Sequence, residues 1–358
     1  VKRAALLVAL LLLAGCSTPP GHSAHGAAQS GERPPLSALT PMADPRTHEG
    51  PTTALVAHND IVPVQRPTLQ LPVKLPVTVT DFQGTQVTVK DTGRILALDV
   101  SGTLAATVFG LGLGDQVVGR DISTGFPAAQ HLPLVTVNGH QLNAEAILRL
   151  RPTVVLTDTT LGPWDVVLQL RDAGVPVVIV DPKRGMDTNG PIVRAVAAAL
   201  GVPAAGELLA QRTEREVADT VAQIQRLAPA DPARKPRVVF LYMRGQAGVY
   251  YLFGKGSGAD SLIQALGAVD VAGEAGLEGM RPINPEALAK SRPDVILMMT
   301  DGLASVGGVD GALKVPGVAQ TPAGQRHRFI DMADSVVLGF GPRTAAVLDG
   351  LARALYAS

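Results

Sequence analysis

The sequence predicts an α/β protein built from two similar lobes joined by one long helix, and three observations carry that expectation. A fifteen-residue stretch occurs twice, 141 positions apart: residues 142–156 read LNAEAILRLRPTVVL and residues 283–297 read INPEALAKSRPDVIL. Short Val/Ile/Leu runs alternate with helical stretches, the pattern of strands buried on both faces of a parallel sheet. Between the two repeat copies, Glu207 to Leu227 holds neither Pro nor Gly and carries apolar residues at Leu208, Val217, Val221 and Ile224. That stretch predicts a helix roughly 30 Å long, about the diameter of a small domain. Such a connector limits hinge motion, so the lobes are expected to tilt and not to clap shut.

From the N-terminus, Lys2 and Arg3 precede an apolar run, Ala4 to Leu13, which ends in Leu13-Ala14-Gly15-Cys16. A basic start, a short apolar core and small residues at the cut predict a secretory signal over 1–15, too short to span a bilayer. Cys16 is the only cysteine, so an internal disulfide and a thiolate metal site are both excluded. Residues 16–75 are rich in Ser, Thr, Pro, Gly, Ala and His without sustained periodicity, which predicts a flexible tether that buries too little surface to offset chain entropy. His22, His25, His48 and His58 read as solvated linker residues, not as a metal tract.

The first lobe is expected over 76–186. It opens with a hairpin from Val77 to Val89 broken at Phe82-Gln83-Gly84, followed by strands at Arg94–Asp99, Val117–Asp121, Thr153–Asp158 and Pro176–Asp181. A linker with the long helix follows over 187–230. The second lobe, 231–358, offers strands at Arg237–Met243, Val249–Phe253, Asp294–Thr300 and Arg328–Met332. Each repeat copy reads as a short helix feeding a buried strand. Asn143 or Asn284 suits the N-cap, Pro285 suits the first helical position, and an Arg-Pro pair ends the helix. The lobes are thus Rossmann-like, and a cleft between domains is the commonest place for a small-molecule site.

Net charge is zero, which argues against the basic surface that nucleic-acid binding needs. Gly110-Leu111-Gly112-Leu113-Gly114 follows a helical run and not a strand, so it reads as a helix end and turn, not a dinucleotide loop. Gly254-Lys255-Gly256-Ser257-Gly258 lacks the phosphate-loop spacing and reads as a connection into the helix at Asp260–Leu266. No Ser/His/Asp or paired-carboxylate constellation with supporting spacing is found, so an enzyme is not expected. The lobes hold only His131, His140 and His327, too few for a Zn or Mn carrier.

Several segments carry a specific resemblance. Leu-Ala-Gly-Cys resembles a bacterial lipobox, which implies lipidation of Cys16 and attachment to the extracytoplasmic face of the cell membrane. Together with the VTVTDFQGTQVTV hairpin, RILALDVSGTLAATVFGLGLGDQVVGRD, the VPVVIVD strand and the helix-joined repeat, it makes the chain similar to the substrate-binding lipoproteins of bacterial iron-complex ABC importers. Asn138-Gly139-His140-Gln141-Leu142 and Phe240-Leu241-Tyr242-Met243-Arg244-Gly245 resemble the hemin-binding members in particular. The resemblance implies ferric haem b as the transported ligand, with His140 and Tyr242 as axial ligands from opposite lobes and Arg244 as partner of the tyrosine. It also implies docking to the permease of a haem importer, with its ATPase subunits, through Glu145 and Glu286. A ferric siderophore or cobalamin on the same scaffold is the alternative.

The residues themselves agree with that reading. Tyr242 falls at the carboxyl end of its strand, where ligands of open α/β sheets sit. A guanidinium two residues on favours phenolate over phenol, and a hard anionic oxygen suits ferric iron. His140 lies in a loop before the first repeat helix, where binding residues concentrate. Shifting by 141 positions makes Arg281 its counterpart, expected to face the cleft and pair with a haem propionate. Met298 and Met299 end a strand near the cleft; core packing accounts for both, with Met299 the better placed to support a ligand. Glu145 and Glu286 sit in first helical turns, where the helix dipole alone already favours a carboxylate.

Overall fold

The structure is a computed structural model that describes residues 33–66, 68, 69 and 71–357. The expected signal over 1–15, Cys16, His22 and His25 lie outside the described residues. The first strand, β1 (Thr52–Thr53), precedes the hairpin β2 (Val77–Thr80) and β3 (Gln86–Val89). The first lobe continues as β4 (Ile95–Leu98), α1 (Thr103–Gly110), a short hairpin of β5 (Thr136–Val137) and β6 (Gln141–Leu142), α2 (Ala144–Arg149), β7 (Val154–Thr157), α3 (Trp164–Asp172) and β8 (Val177–Ile179). Then come α4 (Asn189–Ala199) and the connector α5 (Pro203–Leu227). The second lobe runs β9 (Arg237–Arg244), β10 (Val249–Phe253), α6 (Ala259–Ala265), β11 (Val269–Asp270), α7 (Val271–Glu274), β12 (Met280–Pro282) and α8 (Pro285–Ser291). It ends with β13 (Val295–Met299), α9 (Thr300–Ser305), α10 (Gly308–Ala312), α11 (Pro322–Gln325), β14 (Phe329–Met332), α12 (Asp334–Val337) and α13 (Thr344–Tyr356).

In the first lobe β4, β7 and β8 form a parallel sheet in that order. Ile95, Ala97, Val154 and Leu156 pack one face against α1 and α4, and Leu96, Leu98, Val155 and Val177 pack the other against α2 and α3. The strand expected at Val117–Asp121 is reduced to isolated bridges, Val117 to Ile95 and Arg120 to Leu134. The second-lobe sheet has the order β1-β14-β13-β9-β10-β12, with β11 beside β9. It is mixed, not parallel: β9 and β10 pair antiparallel, as do β10 and β12. The connection Gly245–Gly248 is too short for a crossover, so β9 and β10 can only be a hairpin.

The two repeat copies match in detail. Asn143 Oδ1 accepts from the Ala146 amide at 3.0 Å, and Asn284 Oδ1 from the Ala287 amide at 3.1 Å. Arg151 and Arg292, each before a proline, both take left-handed backbone angles, φ 45° and 49°. Each helix therefore ends by a left-handed residue that the following proline cannot re-enter.

The tether expected over 16–75 is corrected for its described part. Leu36 is 2% exposed and packs on α5 and α13; β1 adds a parallel edge to β14, pairing Thr52 with Ile330; the Val64 amide donates to Gly110 of the first lobe at 2.8 Å. Residues 33–66 thus form a strap that starts on the second lobe and ends on the first. Arginines of the body hold it. Arg328, fully buried, donates to Gly50 O at 3.3 Å and Thr52 Oγ1 at 2.8 Å. Arg343 donates to Asn59 Oδ1 at 2.8 Å, and Arg212 to Val62 O. Burial without a carboxylate partner pushes both Arg328 and Arg343 down to about 10. The strap is held through backbone carbonyls and isolated side chains alike, Leu36, Thr52 and Asn59 among them, so its composition shows no periodic trace of the burial.

Candidate functional site

The cleft is built by β9 and α12 of the second lobe and by the β5–β6 hairpin of the first. Along β9 the alternation of the pleat sends Phe240 and Tyr242 to one face and Leu241 and Met243 to the other. Tyr242 stands opposite Tyr251 on β10 and stacks on Phe253, ring centroids 5.7 Å apart; Phe253 stacks on Phe240 at 5.0 Å. This aromatic column fixes the Tyr242 ring while leaving it half-buried.

Arg244 lies with its guanidinium carbon 4.6 Å from the centre of the Tyr242 ring. An ion pair with Asp334 at the start of α12 holds it there, with Nη1 donating to Met243 O at 3.0 Å and Nη2 lying 3.7 Å from Met299 Sδ. Asp334 also accepts the Asp301 amide at 2.9 Å, and burial raises its carboxyl above the usual range. Gly302 makes room for the pair: a Cβ there would stand 2.8 Å from Arg244 Nη1 and 2.9 Å from Met243 O.

His140 closes the three-residue loop of the first-lobe hairpin, whose Asn138 and Gly139 take φ 48° and 86°. The Asn-Gly pair suits those left-handed positions. The imidazole is half-buried, and its Nδ1 is shielded from solvent without a hydrogen-bond partner among the described residues. Burial pushes its pKa down first and the charge of Arg244 second, while Asp334 pulls it up. The imidazole is therefore neutral at neutral pH, with a lone pair available beside the Arg244–Asp334 pair of the other lobe.

The fold thus brings His140, Tyr242, Arg244 and Met299 to one place. Arg281 is a correction. In the ladder it pairs with Leu252, on the sheet face of Leu241, so its Cβ points away from the Tyr242 face, which Met280 and Pro282 share instead. A shift of 141 preserves sequence offset but not the side of the pleat. Met298 is fully buried in the core. Glu145 and Glu286 are exposed in the first turns of α2 and α8, and Glu145 pairs with Arg149 at 2.6 Å. Asp334 was not anticipated from the sequence; an Asp opening a four-residue helix reads as a helix start and nothing more.

Behind the hairpin, at the carboxyl ends of β4 and β7, two buried carboxylates converge on one cation and a third, Asp121, stands beside them. Arg184 Nη2 reaches Asp99 at 3.1 Å and Asp158 at 2.6 Å. Asp121 accepts from the amides of Asp99 at 3.0 Å and Thr124 at 2.8 Å. Burial, then the charge of Asp99, pushes Asp121 up to about 7; the same two causes take Asp158 to about 6. The cluster shapes the loop that follows Asp121. In that loop a Cβ on Gly125 would meet Ser335 Oγ of the other lobe at 2.5 Å.

Comparison with curated proteins gives no match. Among solved structures, the heme binding protein HmuT is 43% identical over 88% of this chain and 100% of its own, with a TM-score of 0.83. Solved HmuT variants each replace one arginine, tyrosine or histidine by alanine, the tyrosine and arginine lying two positions apart. The periplasmic heme-binding protein RhuT from Roseiflexus sp. RS-1, solved in apo form, is 39% identical over 74% of this chain and 98% of its own, TM-score 0.67. The periplasmic heme-binding protein BhuT, solved in complex with two hemes, is 32% identical over 73% and 97%, TM-score 0.63. The family described as Periplasmic binding protein matches residues 99–336. With a profile match over most of its length and a two-lobed α/β fold around an interlobe cleft, the chain belongs to the periplasmic binding protein family.

Proposed function

We propose that this protein binds ferric haem b between its lobes, with His140 and Tyr242 as axial ligands from opposite sides, and delivers it to the permease of an ABC importer. The observation that carries the reading is the approach, across the cleft, of an imidazole whose Nδ1 has no hydrogen-bond partner among the described residues to the guanidinium that lies over the Tyr242 ring. Phenolate oxygen is a hard anionic ligand suited to ferric iron, and a neutral imidazole completes the axial pair. Arg244 lies over the Tyr242 ring, Asp334 holds Arg244, and Met299 lines the same face. The likeness to the heme-binding proteins HmuT, RhuT and BhuT supports haem over a siderophore or cobalamin. The HmuT variants, with their tyrosine and arginine spaced as Tyr242 and Arg244 are, support the choice of residues.

The finer parts of the reading rest on sequence. Cys16 is lipidated and anchors the protein outside the cell membrane; no helix among the described residues is long and apolar enough to cross one. The exposed Glu145 and Glu286 dock the two lobes to the permease, with surface charges steering the encounter.

Absorption spectra of haem-loaded variants test the ligand assignment. Tyr242→Phe is expected to lose the phenolate charge-transfer band and most affinity. His140→Ala is expected to keep a tyrosine-bound haem of weaker affinity, and Arg244→Ala to give a milder form of the tyrosine loss. A Tyr242→Phe protein with the parent spectrum and affinity would overturn the assignment and favour the siderophore or cobalamin reading.

A further inference from the structure

At the pole of the second lobe opposite the cleft, a small cavity of about 240 Å³ is lined by Arg46, Arg237, Lys290, Arg292 and Arg326, with Asp294 as its carboxylate. It sits where β9 begins and where the chain enters β13, the amino ends of strands whose carboxyl ends carry Tyr242. Arg46 and Arg326 share Asp294, at 3.0 and 3.8 Å, and Arg237 pairs with Glu274 at 2.9 Å. Lys290 and Arg292 are exposed and have no ion-pair partner among the described residues. The five cations therefore exceed the carboxylates that face them, in a chain whose net charge is zero.

Part of the N-terminal segment also meets this pole. Arg353 of α13 donates to Pro34 O at 2.7 Å, and Pro41 bridges to Ala357. The Met42 amide donates to Tyr356 O at 2.7 Å, and Arg234, two residues before Pro236 and Arg237, holds Ala43 O. Residues 41–46 thus run beside the cationic cavity, whereas Arg33 reaches Leu55 O past the carboxyl end of β1.

We infer that this pole is a docking surface for anionic phospholipid, a headgroup phosphate seating between Arg46, Lys290 and Arg292. Charge complementarity singles out this pole, where five cations face two carboxylates. Attraction of a lysine or arginine to an anionic leaflet fades within a Debye length of about 8 Å, so only a pole held near the membrane gains from it. The inference takes its biological setting from the lipid-anchor reading, but its test does not depend on acylation.

The test uses the full chain carrying Cys16→Ala, which cannot be acylated at that position, in flotation with vesicles. It is expected to float with mixed phosphatidylglycerol and phosphatidylcholine vesicles, to stay behind with phosphatidylcholine alone, and to be released by salt. Lys290→Gln with Arg292→Gln is expected to weaken partition roughly 25-fold, about fivefold for each cation removed. Lys74→Gln with Lys90→Gln, an equal charge change at exposed sites outside the second lobe, is expected to leave partition unchanged. Equal flotation with both vesicle types, or equal loss in the two double variants, overturns the inference. Binding of inorganic phosphate by calorimetry without vesicle binding also overturns it, assigning the cavity to a soluble anion. If acylation fails in the cell but the unacylated chain still floats, the anchor reading falls and the pole assignment stands.

Discussion

Replacing Asp121 by Asn should remove a contribution to stability that falls as the pH rises. The carboxyl is fully buried, accepts two backbone amides and faces the charge of Asp99, which together push it up to about 7. In the unfolded chain the same group loses its proton near pH 4. The folded state therefore holds the extra proton between those limits. The stability this confers is fully present below about pH 4 and is lost as the pH rises through about 7. A displacement of about three pH units at 1.36 kcal/mol each amounts to ~4 kcal/mol. Asp158 acts in the same direction, but both carboxyls feel Asp99, so their effects do not add in full. In Asp121→Asn the charge is gone, but an amide NH2 replaces one acceptor and leaves one backbone N–H without its partner, at ~1–3 kcal/mol. The variant is expected to be less stable than the parent at pH 5 and more stable at pH 8. Urea midpoints across that range measure it, and the parent-minus-variant difference removes the other titrating groups. A difference that stays flat with pH, or rises with it, refutes the reasoning.

Arg184→Met should cost ~3–5 kcal/mol in chemical unfolding, because it strips the cation from Asp99 and Asp158 and leaves buried charge unpaired; a loss under 1 kcal/mol counts against the cluster as a strut. Asp334→Asn should lower the His140 midpoint in an NMR titration, since the carboxylate is the one group that raises it; an upward shift would contradict the cross-cleft contact. Leu36→Ala, at a site 2% exposed, should destabilise by ~2–5 kcal/mol and open residues 37–65 to limited proteolysis. Resistance equal to the parent's would show that the strap holds without that anchor.

Features set by local chemistry were legible in the sequence. The β10 boundaries, the Asn N-caps of α2 and α8 and the Arg-Pro endings follow from runs and punctuation that a few residues contain. Two breaks flank the long helix, and α5 begins at Pro203, only a few residues before the expected Glu207, because Pro suits a first turn. The candidate site was legible where residue type itself bears chemistry, at His140, Tyr242 and Arg244. Asp334 was not, since its contact with Arg244 spans 90 positions and nothing local marks it. Arg281 went wrong because a repeat fixes order along the chain, whereas a pleat fixes sides. The strap was missed for a related reason. Its partners are buried arginines near the far end of the chain, which reach one carbonyl, one hydroxyl and one side-chain amide that no local pattern sets apart.

The strap also sets an order of folding. Thr53 bonds to Asp331, 278 positions away, so the segment made first cannot dock until β14 and α13, among the last made, have formed. Contacts this distant pay their loop-closure entropy before any gain is returned, and they form late. During synthesis and export the first lobe can close on local contacts, while β14 waits with an open edge. Arg328 and Arg343 wait as well, still hydrated, for the carbonyl and amide oxygens of the strap to replace their water. Completion of the second lobe is therefore the step that draws the N-terminal segment in, and until then the chain between residues 33 and 66 remains accessible to whatever processes or modifies it.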